Sequence, residues 1–160
     1  TIGTRARAVS EKRTRPVSSL YLDLKLYAAY WNGVHAYHHT ASSTLHFALT
    51  EALRDLMEET LEGRFARHRA NAQRLWDGLE ALDAPPFIAH EYRLPPLTTA
   101  RVPSGVDPHK VRARLLEEFN IEIAAGFGAL KDQVWRIGLM GYSSRPENVD
   151  LLLDALKKLI

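Results

Sequence analysis

Gln133 to Gly141 reads QVWRIGLMG, a strand-forming run with an arginine at its centre. Apolar and β-favouring residues flank Arg136 on both sides. Side chains alternate faces along a strand. Trp135, Ile137 and Leu139 therefore share a face suited to a covered core, and Arg136 points the other way with Val134 and Gly138. A guanidinium stays charged at any working pH and carries several N–H donors. Burying it alone is costly. Arg136 thus calls for an anion, either an ion pair with one of the nineteen acidic residues or a bound carboxylate held through two parallel hydrogen bonds. Spacing leaves both open.

Around this strand the sequence alternates. YRLPPLTTARVP (92–103) predicts a second strand, its prolines placing the start at a sheet edge. Asp107 as N-cap and Pro108 at the first helical position open a helix through Phe119. NIEIA (120–124) predicts a short strand and AGFGALKD (125–132) a glycine loop. Pro146 and Glu147 begin a last helix with Val149, Leu152, Leu153, Leu156 and Ile160 as its buried stripe. From residue 93 onward this is an α+β unit, a small sheet with helices on one face.

Upstream, apolar residues from Leu45 to Leu82 recur mostly at steps of three and four. One unbroken helix of that span would be ~57 Å long. It is therefore either a spine joining two bodies or a helix broken at Gly63, and Asp83 to Pro86 closes it. Before it, VSSLYLDLKLYAAYW (17–31) predicts a short helix and Asn32-Gly33 a turn. The first fifteen residues show no convincing period; they hold Arg5, Arg7, Lys12, Arg13 and Arg15 against Glu11 alone.

With 46% hydrophobic and 25% charged residues the composition is that of a globular protein. The chain has no cysteine, which excludes disulfides and thiolate chemistry. A net charge of +2 does not by itself argue for nucleic acid or membrane. The basic start lacks interleaved aromatics, so a solvated face is expected rather than a nucleic-acid site. No apolar run reaches membrane-spanning length. Residue 1 is Thr, which suggests a processed start or a piece of a longer chain, and the final KKLI does not match a peroxisomal address. No signal peptide is evident, and a cytoplasmic location is expected.

Tyr37, His38, His39, Thr40, Ser42 and Ser43 crowd hydroxyls and imidazoles before the long helix. A helix start with hydroxyl donors suits phosphate; ordinary N-capping by Thr40 or Ser42 explains the same residues. His35, His38 and His39 have spacings that could approach a metal, but no nearby carboxylate or cysteine completes a ligand set, and no metal is expected. Gly126 and Gly128 do not make a dinucleotide fingerprint. No catalytic base or nucleophile emerges from spacing.

RPVSSLYLDLK (15–25), YHHT (37–40), RLPPLTTARVPSGVD (93–107), NIEIAAGFG (120–128) and VWRIGLMG (134–141) together resemble the class V aminotransferases. The branch is the one acting on alanine and glyoxylate or serine and pyruvate (or serine and glyoxylate). The resemblance runs over nearly the whole chain and is weakest in the first dozen residues. It implies an α/β, fold-type I enzyme using pyridoxal 5'-phosphate (PLP) and working as a homodimer on amino acids and 2-keto acids. Residues 1–42 would be the tail of the large cofactor domain; 43–160 would be the long helix and the C-terminal small domain. Arg136 would grip the substrate α-carboxylate, and Tyr37 and Thr40 would reach the cofactor phosphate of the other subunit. The family's Schiff-base lysine lies upstream of the matched part; Lys12, Lys25, Lys110, Lys131, Lys157 and Lys158 do not occupy its motif. The segment is therefore expected to be the C-terminal portion of a longer enzyme, and inactive alone. Ala125 stands where the family usually has glycine. The rival expectation is a non-catalytic α+β module that binds a small carboxylate or a protein partner.

Overall fold

A computed structural model describes residues 2–33 and 37–160 and divides into two compact units, Thr1–Ala52 and Leu53–Ile160. The first unit contains α1 (Thr4–Lys12), α2 (Leu24–Trp31) and the start of α3 (Ser43–Glu59). α1 occupies a stretch expected to be irregular. It buries no residue, so no apolar stripe announces it. The expected helix before Asn32 is a single 3₁₀ turn at Leu20–Leu22 followed by α2, which Asp23 caps by accepting from the Lys25 N–H at 2.9 Å. Much of the apolar surface here faces solvent, Trp31 at 80% and Leu22 at 69%.

The long helical pattern breaks within the second unit, at Thr60 rather than Gly63. Thr60 has φ 67° and accepts the Gly63 N–H on its hydroxyl at 3.2 Å, so it ends α3 and caps α4 (Leu61–Ala81). Three strands follow: β1 (Leu97–Arg101), β2 (Ala124–Ala125) and β3 (Val134–Gly138), antiparallel in the order β1-β3-β2. The expected five-residue strand at Asn120 shrinks to β2. Asn120 is left-handed (φ 55°) and ends α5 (Pro108–Phe119), while the Ile121 N–H returns to the Leu115 carbonyl. Asp107 caps α5 through the His109 and Lys110 N–H groups, as its position before Pro108 predicts.

One sheet face carries the core. Trp135, Ile137 and Leu139 are buried against Leu75 and Leu79 of α4, Val111 and Leu115 of α5, and Val149, Leu152 and Leu156 of α6 (Pro146–Leu159). Leu153 and Ile160 only flank that core, and Ala155 completes its stripe. Where α4 passes α6, Gly78 lets the helices close up: a Cβ there would lie 2.3 Å from a Leu153 methyl. The opposite sheet face is where Arg136 projects.

Candidate functional site

Opposite residues of an antiparallel pair share a face. The register therefore sets Thr99 and Ala124 on either side of Arg136, and Leu97 beside Gly138. Val134 belongs to the same face yet is 1% exposed. The Gly126–Leu130 loop folds back over it: Gly126 donates to the Val134 carbonyl, and a Cβ on Gly126 would sit 2.1 Å from the Leu130 carbonyl oxygen. That fold brings Phe127 beneath Arg136, with the guanidinium carbon 4.0 Å from the ring centroid.

Arg136 is half-buried and its Nε–H donates to the Ala125 carbonyl at 2.8 Å. Among the described residues no carboxylate pairs with it. Its other N–H groups are available to an anion, and the Phe127 ring face stabilises the cation from behind. Phe127 escapes sequence reasoning because its role depends on the loop's return path. Arg101, in the next row, stacks instead on Phe87 at 4.5 Å.

In the first unit Tyr37 and Thr40 are brought together, the phenol and threonine hydroxyls 2.5 Å apart, both residues exposed. Ser42 does the capping of α3, accepting from Leu45 N–H on its hydroxyl at 3.4 Å and from His46 N–H on its carbonyl at 3.2 Å. Thr40 is thereby free of a capping duty. A pair of exposed hydroxyls at the approach to a 17-residue helix fits one edge of a phosphate. His38 is buried, stacked on Tyr27 at 4.3 Å between ring centroids. Its Nε2 faces the Leu20 carbonyl at 2.8 Å, which can only accept. In a neutral His38 the proton therefore sits on Nε2, and its Nδ1 accepts from His39 Nδ1, 2.7 Å away. His35 lies outside the described residues. Among those described, no group of three His, Asp or Glu side chains converges as a metal site.

A second polar feature joins α4 to the turn after β3. Arg67 donates to both Glu59 carboxylate oxygens and to the carbonyls of Gly141 and Ser144. His68 Nε2 accepts the Gly141 N–H at 3.2 Å, and the buried Asn71 amide donates to Ser144. The hydrogen bonds from Arg67, helped by Arg64, hold the Glu59 carboxyl well below its usual range, at about 2. No sequence motif signals this junction, which spans more than seventy residues of chain.

No family model matches the chain. It is 40% identical over 159 residues to (S)-ureidoglycine–glyoxylate transaminase from Bacillus subtilis (strain 168), matching 99% of this chain and 38% of that protein. It is 38% identical to alanine–glyoxylate aminotransferase from Callithrix jacchus, over 97% of this chain and 38% of the relative. The crystal structure of an alanine–glyoxylate aminotransferase from Nostoc sp. superposes with a TM-score of 0.90 at 44% identity, covering 99% of this chain and 42% of that one. The chain is thus similar to the C-terminal part of these aminotransferases. The fold is that of a segment of fold-type I aminotransferases. The chain spans about two fifths of the length of the relatives it matches. Among the described residues no helix is long and apolar enough to cross a membrane.

Proposed function

We propose that these 160 residues supply the carboxylate grip and part of the phosphate grip of a PLP-dependent aminotransferase, a homodimer that moves an amino group from alanine or serine to glyoxylate or another 2-keto acid. The observation that carries this reading is Arg136: a half-buried cation with an aromatic ring behind it, one N–H spent on a backbone carbonyl, and no acidic partner among the described residues. Every amino and keto acid of such a reaction keeps the same α-carboxylate. One guanidinium can therefore orient donor and acceptor alike, placing the reacting carbon the same way in both halves of a ping-pong cycle. Tyr37 and Thr40 would hold cofactor phosphate through their hydroxyls. PLP, when bound, supplies the electron sink that lets the α-carbon lose its proton.

The lysine that carries PLP in the resembling family has no counterpart at Lys12, Lys25, Lys110, Lys131, Lys157 or Lys158. The segment alone is therefore expected not to transaminate. The apolar surface of Leu22, Trp31 and Phe47, each more than half exposed, fits a chain that packs against further protein. The test is Arg136→Ala in the complete enzyme chain. KM for every carboxylate substrate should rise about 100-fold or more, as expected for a buried charge-assisted pair, with cofactor absorbance retained. Unchanged kinetics would refute the assignment.

A further inference from the structure

Glycine in a strand is destabilising relative to alanine, and within a sheet it often marks a bulge, a bend, or a place where a ligand or another backbone comes close. Gly138 is the one glycine in the three described strands. Its φ lies outside the left-handed region, and a Cβ built on it would meet only the Met140 Cε, at an ordinary 3.9 Å. The contrast within the same unit is sharp. Gly126 has no room for a Cβ, and Gly105, Gly128 and Gly141 have positive φ. The fold supplies a reason for those glycines and none for Gly138.

What adjoins Gly138 is the candidate site. It lies two residues beyond Arg136 on the same sheet face, about 6–7 Å along the strand, with Leu97 opposite it. Arg136 leans towards β2, onto Ala125 and Phe127. Between Arg136 and Met140 the strand is exposed at Gly138, and Met140 itself is 57% exposed. We infer that Gly138 determines specificity: it keeps the sheet surface beside Arg136 clear for the group attached to the substrate's carboxylate-bearing carbon, and the Met140 thioether walls that space. The inference rests on Arg136 as the carboxylate grip.

The test uses the complete enzyme chain and the series glyoxylate, pyruvate and 2-oxobutyrate, read by KM, by dissociation constants from cofactor absorbance, and by Tm. Gly138→Ala should leave Tm unchanged or slightly raised, because the backbone and the space accept a methyl. KM and Kd should rise with acceptor size, about tenfold or more for 2-oxobutyrate and least for glyoxylate. Met140→Ala should move selectivity the other way, favouring 2-oxobutyrate relative to wild type. Gly138→Ala that misfolds or loses stability would overturn the proposal, since the glycine would then be structural; so would equal KM changes across the series. Arg136→Lys separates the two readings. If it weakens all three acids while Gly138→Ala leaves selectivity untouched, only the Gly138 proposal fails. If Arg136→Lys changes nothing, the carboxylate grip fails and takes the proposal with it.

Discussion

Gly126→Ala is the substitution that most directly tests how the Arg136 site is built. By chain entropy alone it should stabilise the protein by about 0.4–1 kcal/mol. The structure opposes that gain. The new Cβ would lie 2.1 Å from the Leu130 carbonyl oxygen, 2.7 Å from its carbon and 2.8 Å from a Val134 methyl. The first two are backbone atoms of a 3₁₀ turn whose own hydrogen bonds run from Leu130 N–H to the Phe127 carbonyl and from Lys131 N–H to the Gly128 carbonyl. Rotating a side chain cannot clear them; the turn itself must move by on the order of 1 Å. Overpacking of this kind costs about 1–3 kcal/mol, and the larger figure applies where backbone must shift. The net expectation is a loss of about 2 kcal/mol, or roughly 8–16 °C in Tm for a domain of this size. Thermal unfolding followed by circular dichroism, with wild type and Gly138→Ala alongside, measures it. The displaced turn carries Phe127, so Trp135 emission and carboxylate affinity should change together. A Gly126→Ala protein as stable as wild type would refute the close packing of the loop over Val134, and with it the account of how Phe127 reaches Arg136.

Acid should weaken the second unit through carboxyls that are better off ionised when folded. Hydrogen bonds from Arg67 and Arg64 hold Glu59 at about 2, and the Lys110 and His109 N–H groups lower Asp107. Because folded values lie below unfolded ones, the stabilisation is fully present above the ordinary carboxyl range and disappears as pH falls through it towards 2. Urea midpoints at pH 7, 4 and 3 should fall in that order, and less steeply in Glu59→Gln. A flat series would contradict it. Trp76→Phe removes the buried 2.8 Å bond from the indole N–H to the Thr98 hydroxyl and should cost about 1–3 kcal/mol in urea unfolding; adding Thr98→Val should recover part of it. Thr60→Gly relieves a β-branched residue at φ 67° and should raise stability by about 1 kcal/mol, less a few tenths for the lost side-chain cap.

Local chemistry made several elements legible. Asp107-Pro108 announces both cap and first helical position, and alternation around Arg136 puts Trp135, Ile137 and Leu139 in the core. α1 was not legible, because a helix that buries nothing has no stripe to read. Nor was the break at Thr60: Gly63 is the conventional breaker, yet it sits comfortably in the first turn of α4 while a threonine takes the positive φ. NIEIA carries strand-forming residues, but Asn120 spends the first of them on ending α5, and the Ile123 carbonyl goes to Arg112 rather than to a neighbouring strand.

The candidate site divides along the same line. Alternation placed Arg136 on the uncovered face, but the same reasoning put Val134 there with it, and Val134 is covered. The difference lies in a loop whose return path no periodicity encodes. A pattern of period two reports which way a side chain points; it does not report what the rest of the chain lays over it. The covering loop buries one outward position, supplies the ring behind the next, and leaves Gly138, the third, open. Along one strand face, burial thus falls in three steps, and the cation stands at the middle one, backed by Phe127 on one side and open on the other. An arginine at either neighbouring position would be sealed off or fully hydrated. That gradient is what supports the proposed carboxylate grip at this arginine, and it is a property of the assembled sheet and loop.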